Sequence, residues 1–200
     1  MLIQNIKSKK CLTNTSIAII LPVFNTAPYL ETCLNSIFSQ TYKNFHIYAI
    51  DDGSTDESLN ILLKYKEKDN RLKVYHQKNS GLGAARNLAL SLIDFKKYNF
   101  ISFIDSDDII HKKFLETLLT NAIENECDIC ICGVKTLIGT IALEPTHLHY
   151  KRPKIFTNEE FIKLIFNLFE WREVNGAGGM VWKALYRTSE FAPRLIGGFF

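Results

Sequence analysis

The sequence predicts an α/β protein in which a mainly parallel central sheet is flanked by helices. Short apolar runs rich in β-branched and aromatic residues alternate with amphipathic segments of about three helical turns. Such strand–helix–strand units cross over with a right-handed sense and build parallel sheets. A second observation is that three of these runs end in polar or unusual clusters, at 22–25, 51–54 and 105–108. Because ligands of parallel sheets gather at the carboxyl ends of the strands, this edge is the predicted binding site.

The composition is that of a globular domain and gives no sign of a nucleic-acid partner. The chain has 200 residues, of which 46% are hydrophobic and 22% charged, so it can bury a core of ordinary size. Its formal net charge is only +3, and the lysines and arginines are scattered. We therefore predict no nucleic-acid binding.

Cysteine usage and hydropathy predict a cytoplasmic location. No apolar run approaches the roughly 18 to 20 residues that span a bilayer. Residues 1–15, treated as an N-terminal extension before a domain over 16–200, lack the apolar stretch of a signal peptide. The five cysteines are odd in number and follow no disulfide framework, which indicates a reducing compartment.

The first two strand–helix units are predicted from apolar runs and helix-start residues. Residues 16–24 form a continuous apolar run typical of a buried strand, and Pro28 suits the first helical position after it. Apolar residues then recur at helical spacing, at Leu30, Leu34, Ile37 and Phe38. Residues 45–50 predict the second strand. We expect Ser54 or Thr55 to cap the helix that follows, with acids in its first turn and lysines in its last.

The next elements continue the alternation. Residues 71–76 predict a third strand, 81–93 a helix opened by glycines, and 99–104 a fourth strand. A further helix is expected over 112–124, with Asp108 as its cap.

The cysteine-rich segment 127–132, CDICIC, predicts a buried core strand. A zinc site would need a fourth ligand and usually a turn between paired cysteines. Ile129 and Ile131 instead alternate with the sulfur-bearing side chains. Beyond residue 133, short alternating pieces predict an antiparallel excursion, and Thr157 with Glu160 predicts a capping box that opens another helix.

The segment FISFIDSDDII, residues 100–110, sets a buried strand directly against three carboxylates. Burying such charges unpaired would cost several kcal/mol. Asp105 and Asp107 are two positions apart, so both carboxylates can reach one divalent cation or its bound ligand. Because Mg²⁺ or Mn²⁺ held by one or two carboxylates completes its shell with phosphate oxygens and water, the pair predicts a metal diphosphate.

Two other interpretations of these acids were compared. A calcium loop would use Asp105, Asp107 and Glu116, but Ile109 and Ile110 occupy a ligand position and the obligatory glycine. An aspartyl phosphotransferase would use Asp105 as nucleophile and Asp107 as acid. Such enzymes usually have Gly and Thr at the two positions that follow Asp107, so this stays a minor alternative.

Two further segments predict ligand contacts. In AIDDGSTDES, residues 49–58, Asp51 is predicted to be structural and Asp52 to face a base N–H or a ribose hydroxyl. In NSGLGAARN, residues 79–87, the glycines precede a helix start, where free backbone N–H groups suit an anion. Arg86 adds a forked cation there.

Four ordered motifs together resemble one family. They are the segment from Ser16 to Tyr42, then IDDGSTDES, NSGLGAARN and FIDSDD. In this order and spacing they closely resemble the family-2 inverting glycosyltransferases of the GT-A fold that make bacterial cell-surface polysaccharides. The resemblance is dense from about Ser16 to Ile110.

The resemblance implies a metal-dependent hexosyltransferase that moves a sugar, with inversion, from a UDP-sugar to a glycan or lipid-linked acceptor. A peripheral position at the inner face of the cytoplasmic membrane would suit that acceptor. Residues 16–110 would form the nucleotide-binding half and 111–200 the acceptor half. The implied donor-site residues are Pro22, Val23, Asn25, Asp52, Gly81, Arg86, Asn87 and Asp105. Of these, Asp52 would contact the base and Asp105 would lie by the ribose. Asp107, assisted by Asp105, would hold Mn²⁺ or Mg²⁺ on the diphosphate.

The family pattern also implies a general base that deprotonates the acceptor hydroxyl. In the family this carboxylate lies downstream, often in a Glu-Asp pair, and Glu170, Glu173 and Glu190 stand in no matching motif. We therefore expect the domain to be incomplete at its C-terminus and the base to lie beyond Phe200. The alternative hypothesis is a remnant that binds a nucleotide sugar without turnover.

Overall fold

The structure is a computed structural model that describes residues 15–132, 137–138, 141–142, 155, 157, 159–160 and 184–188. The chain divides into two compact units. One comprises Met1–Cys130 with Leu185–Phe200, and the other comprises Ile131–Ala184. The predicted boundary between two halves at residue 110 stays a prediction.

The described elements alternate as predicted over the first unit. They are β1 Ile17–Val23, α1 Ala27–Phe38, β2 Phe45–Asp51, α2 Ser58–Lys68, β3 Leu72–His76, α3 Leu82–Leu92, β4 Phe100–Phe103 and α4 Phe114–Glu124. Short strands follow, namely β5 Ile129–Ile131, β6 Leu137–Ile138, β7 Ile141–Ala142 and β8 Ala184–Arg187.

The predicted parallel sheet is confirmed, and β1 lies inside it. The strand order is β3-β2-β1-β4-β8-β5, with β1 parallel to both β2 and β4, and β2 parallel to β3. Strand β8 joins antiparallel to β4. The register pairs Val23 with Asp51 and Ile20 with Phe103, so β1, β2 and β4 end side by side. Their following loops therefore share one edge of the sheet.

The core explains why β1 is a continuous apolar run. All seven residues of β1 are buried, because neighbouring strands cover its edges and α3 packs on one of its faces. Of the predicted apolar stripe of helix α1, Leu30, Leu34 and Ile37 are fully buried and Phe38 is half-buried. Each such side chain contributes about 1.5–3 kcal/mol relative to an exposed one.

Two helix starts differ from the prediction. Helix α2 begins at Ser58 with Glu57 at its N-cap position, so neither Ser54 nor Thr55 caps it. Helix α4 begins at Phe114, and its N-cap residue makes no side-chain cap. Lys113, not Asp108, stands at the N-cap position of α4, and the Asp108 N–H donates to the carbonyl of Asp105 in a turn that precedes the helix. In both places the chain makes a turn first, which the local pattern does not reveal.

The cysteine-rich segment contains a strand, as predicted, but its cysteines are only half-buried. In the described sheet, β5 is the last strand in the order, and the side chain of Ile129 is 37% exposed. A strand with a neighbour on one side only leaves much of its surface to solvent. Burial still raises the pKa of the Cys132 thiol to about 11, so this thiol stays protonated at neutral pH.

The second unit is described only in short pieces. Strands β6 and β7 pair antiparallel, which agrees with the predicted excursion. The predicted capping box is confirmed, since the Thr157 N–H donates to Glu160 Oε2 at 2.8 Å and the Glu160 N–H donates to Thr157 Oγ1 at 3.3 Å. Glu170, Glu173 and Glu190 lie outside the described residues. Among the described helices, none is long and apolar enough to cross a membrane.

Candidate functional site

A cleft lies where the carboxyl ends of the parallel strands meet. Its volume is about 460 Å³, within the usual range for small-molecule sites. The lining residues come from the ends of β1, β2, β3 and β4 and from the start of α3: Pro22, Val23, Phe24, Thr26, Asp52, Asn79, Gly81, Leu82, Ala85, Asp105, Ser106 and Asp107. The position agrees with the predicted edge of the sheet.

The cleft brings most of the predicted residues together. The predicted residues that line it are Pro22, Val23, Asp52, Gly81, Asp105 and Asp107. Asn25, Arg86 and Asn87 are not among the described lining residues. The other lining residues were not predicted by name, although each lies next to, or within two positions of, a predicted one: Phe24, Thr26, Asn79, Leu82, Ala85 and Ser106. Their position in the same segments as predicted residues was the sequence signal that could have identified them.

An ion pair explains how the acids after β4 are tolerated. Arg86 Nη2, from α3, donates to Asp105 Oδ1 at 2.8 Å, and the Arg86 side chain is only 5% exposed while that of Asp105 is 29% exposed. A guanidinium buried this deeply needs a carboxylate partner. Arg86 therefore holds Asp105 from behind the cleft wall, whereas Asp107 is exposed to solvent at the cleft.

The acids at the cleft fit a divalent cation that arrives with a diphosphate. Among the described residues, no group of three or more His, Cys, Asp or Glu side chains could hold a metal ion. Asp105 and Asp107 offer two carboxylates on the same cleft, and Arg86 already donates to one oxygen of Asp105. Mg²⁺ is bound through one or two carboxylates where substrate phosphates and water complete its shell. The donor set agrees with such a cation.

Asp52 holds the loop that follows β3. Its side chain is almost fully buried, and Oδ1 accepts from Gln77 Nε2 at 2.6 Å and from the Ser80 N–H at 2.9 Å. Oδ2 accepts from the Gly81 N–H at 2.8 Å. A carboxylate offers about four acceptor positions, so about one remains for a ligand donor in the cleft.

The neighbouring residues are structural, as predicted for Asp51. Its carboxylate is fully buried, and Oδ2 lies 2.7 Å from His76 Nδ1 and accepts from the Ser54 N–H at 3.3 Å. Gly53 has φ +73°, and a Cβ there would lie 2.7 Å from the Asn79 backbone nitrogen. Only glycine lets these two loops approach so closely.

Asn25 joins two loops instead of lining the cleft. It is exposed and adopts φ +51°, a left-handed conformation that asparagine tolerates better than most residues. Asn25 Oδ1 accepts from the Thr55 N–H at 2.8 Å, and the Asn25 N–H donates to Ser54 Oγ at 3.1 Å. These bonds connect the loop after β1 to the loop after β2.

Helix α3 directs its N-terminus at the cleft. Gly81, at φ +90°, is its N-cap residue, and Gly81, Leu82 and Ala85 all line the cleft. The N–H groups of the first helical turn cannot be reached by intrahelical carbonyls, and they lie at the positive end of the helix dipole. This end of the cleft is suited to an anionic group.

Comparison with known proteins agrees with this architecture. The glycosyl transferase family 2 model matches residues 18–185. Glycosyltransferase GlyA of Streptococcus pneumoniae is 34% identical over 185 residues, which is 90% of this chain and 25% of GlyA. EpsH of Bacillus subtilis is 36% identical over 182 residues, which is 87% of this chain and 47% of EpsH. The chain thus spans between a quarter and a half of these relatives.

A solved structure has the same fold. TarS residues 1–349 of S. aureus, in complex with UDP-GlcNAc, superposes with a TM-score of 0.70 at 28% identity, covering 89% of this chain and 47% of the TarS chain. The sheet, its helices and the cleft at the strand ends define a GT-A glycosyltransferase fold. The chain belongs to glycosyl transferase family 2.

Proposed function

We propose that this chain binds a UDP-sugar and contributes to its inverting transfer to a glycan or lipid-linked acceptor in cell-surface polysaccharide synthesis. The observation that carries the proposal is that Asp105 and Asp107 line the same cleft as the N-terminus of α3 and the buried carboxylate of Asp52. Family membership favours this reaction over an aspartyl phosphotransferase.

The choice of a uridine donor has two supports. TarS, at 28% identity, has been solved in complex with UDP and in complex with UDP-GlcNAc. In this chain, Asp52 retains about one acceptor position at the cleft, which suits a base that presents an N–H. Because Gln77 and the loop at 80–81 orient this carboxylate, Asp52 would select the base without a large rearrangement.

Asp107, with Asp105 beside it, would hold Mn²⁺ or Mg²⁺. The cation would neutralise the charge that develops on the diphosphate as the sugar leaves. Arg86 holds Asp105 in place through the 2.8 Å bond. The first-turn N–H groups of α3 would add fixed positive charge at the same cleft.

The acceptor side of the reaction completes the proposal. Inversion requires a general base for the acceptor hydroxyl, and Asp52 and Asp105 are already engaged by other residues. We propose that a carboxylate outside the described residues provides this base. A cytoplasmic location at the inner face of the membrane would bring a lipid-linked acceptor within reach.

A titration and a turnover assay test the proposal. Calorimetric titration with UDP and GDP, with and without Mn²⁺, should show UDP binding that Mn²⁺ strengthens and weaker binding of GDP. Binding of neither nucleotide would contradict the donor site. Incubation with a panel of UDP-sugars and glycan acceptors then separates an enzyme, which transfers sugar, from a protein that only binds the donor.

A further inference from the structure

One carboxylate caps two helices beside the cleft. Helix α1 follows Thr26 and helix α2 follows Glu57, and neither of these N-cap residues makes a side-chain cap. Asp56 does this for both helices, since Oδ2 accepts from the Ala27 N–H at 3.0 Å and Oδ1 accepts from the Ser58 N–H at 2.9 Å. Helix starts need such acceptors because their first N–H groups have no intrahelical partner.

The charge of Asp56 suits this position. Two helix N-termini, each the positive end of a dipole, converge on its carboxylate. Desolvation alone would raise the pKa of the Asp56 carboxyl, but hydrogen bonds from Ser58 and Ala27 lower this pKa below its usual value. The side chain is therefore ionised at neutral pH, when it binds both helices most strongly.

A chain of hydrogen bonds leads from Asp56 to the metal-binding acids. The Thr26 N–H donates to Ser58 Oγ at 3.0 Å, next to the Asp56 contacts. Thr26 Oγ1 in turn bonds to Ser106 Oγ at 3.0 Å, and both residues line the cleft. Ser106 stands between Asp105 and Asp107 in the sequence. Asp56 itself does not appear among the described residues that line the cleft.

We propose that Asp56 is a positioning residue of the donor site. Its carboxylate accepts hydrogen bonds from the start of α1, which follows the loop after β1, and from the start of α2, so it holds these two segments together. The Thr26–Ser106 hydrogen bond then connects this loop to the loop that carries Asp105 and Asp107, so Asp56 also restrains the second loop. The expected effect of Asp56 on UDP affinity rests on the proposed function. The expected effect of Asp56 on the loop at 105–107 can be measured without any ligand.

The first test is UDP affinity, measured by titration in Mn²⁺. Asp56→Ala should weaken UDP binding about tenfold. This factor corresponds to the free energy of about one helix cap, which the variant would have to supply to order the site when UDP binds. Asp56→Asn should weaken UDP binding less, because its one amide oxygen still accepts one of the two N–H groups. Asp69→Ala is the matched control, since Asp69 also accepts a backbone N–H, that of Arg71 at 3.0 Å, but lies just before β3, at the opposite edge of the sheet.

The control should retain UDP affinity within about twofold, which separates positioning from general stability. In a double-mutant cycle with Ser106→Ala, the tenfold effect of Asp56→Ala should shrink below about threefold, because the connecting contact is already lost. Additive effects, or an equal loss in Asp69→Ala, would overturn the positioning role.

Hydrogen exchange supplies the readout that is independent of nucleotide. In unliganded Asp56→Ala or Asp56→Asn, amide exchange should accelerate at Thr26 and Ala27 and at 58–60, and also at 105–107, where no bond of Asp56 is made. Unchanged exchange at 105–107 would overturn the inference. Accelerated exchange there with no UDP binding by the unsubstituted chain would support the positioning role and contradict the proposed function instead.

Discussion

At the scale of single residues, Asp105 and Asp107 lie in different surroundings after β4. Asp105 is paired with the buried Arg86, and Asp107 is solvated at the cleft. Removing Asp105 is the expensive change, because it takes this carboxylate away from the buried Arg86 guanidinium, and a buried charge that loses its partner costs several kcal/mol. Arg86 thus serves the site through Asp105, although the sequence predicted that it would face the donor itself.

Removal of Asp107 should uncouple UDP binding from metal. Because Asp107 is exposed, Asp107→Ala should fold normally and lose the strengthening of UDP binding by Mn²⁺. Asp105→Asn should reduce this metal dependence less, since Asp107 would still hold the cation. Titration with UDP at several Mn²⁺ concentrations measures both variants. An Asp107→Ala protein with unchanged metal dependence would show that the cation is held elsewhere.

At the scale of elements, the loops around the cleft are fastened to helix α1. Gln40 follows α1 and is fully buried, and both the nitrogen and the oxygen of its side-chain amide make hydrogen bonds. Its Nε2 donates to the carbonyls of Ser36 and His111, at 3.1 and 2.8 Å, and its Oε1 accepts from the Leu115 N–H at 3.0 Å. One side chain therefore connects α1 to the first turn of α4 and to the end of the loop that begins at Asp105.

Gln40→Leu should be strongly destabilising. It keeps most of the volume but leaves the buried Leu115 N–H without its side-chain acceptor, at about 1–3 kcal/mol, whereas the His111 carbonyl still accepts from the Phe114 N–H. We expect a loss of about 1–3 kcal/mol in the free energy of unfolding, measured by urea denaturation. Asn60→Ala, at an exposed amide on α2, is the control and should change this free energy by less than about 0.5 kcal/mol.

Two glycines with positive φ provide a matched pair of substitutions. Gly53 and Gly81 lie at φ +73° and +90°, so alanine is strained at both by about 1–3 kcal/mol. Only at Gly53 would the new Cβ meet backbone, the Asn79 nitrogen at 2.7 Å, whereas nothing lies within 4 Å at Gly81. Gly53→Ala should therefore lose at least about 1 kcal/mol more than Gly81→Ala in urea denaturation. Equal losses would mean that the two loops can separate freely.

At the scale of the whole molecule, acid should destabilise the fold in two steps. The pKa of His46 is lowered from 6.5, mainly by burial and also by Lys97. As the pH falls below 6.5, the His46 side chain is therefore protonated in the unfolded chain before it is protonated in the folded protein, and the fold loses stability. The pKa values of Asp56 and Asp69 are lowered from 3.8, Asp69 chiefly by the Arg71 side chain and Asp56 by hydrogen bonds that outweigh desolvation. Their stabilisation is complete above pH 3.8 and is lost as the pH falls through the folded values.

Urea midpoints between pH 3 and pH 8 measure both steps. His46→Asn should flatten the step that begins below pH 6.5, and Asp69→Asn should flatten the step below pH 3.8. Each variant should change the other step only slightly, because His46 and Asp69 also interact electrostatically, whereas the main causes of their pKa shifts are burial for His46 and the Arg71 side chain for Asp69. A variant that removes both steps would indicate a change of the denatured state instead.

Much of this architecture follows from local patterns. Continuous apolar runs predicted β1, β2 and β4, since a parallel strand covered on both faces leaves no polar positions. Helical spacing predicted α1 through α4, because each needs one apolar face toward the sheet. The polar residues at the strand ends predicted the edge at which the cleft lies. These features depend on residues near one another in the chain.

The sequence by itself therefore determined the elements, the parallel sheet and the edge that carries the site, together with the family. Only the tertiary structure decided the partners: Arg86 with Asp105, Gln40 with Leu115, and Asp56 with two helix starts. It also decided that β5 lies at the edge of the described sheet and that Lys113, not Asp108, stands at the N-cap position of α4. The physical reason is that periodicity reports which face of an element is buried, whereas a hydrogen bond or ion pair between distant segments depends on how the elements pack together.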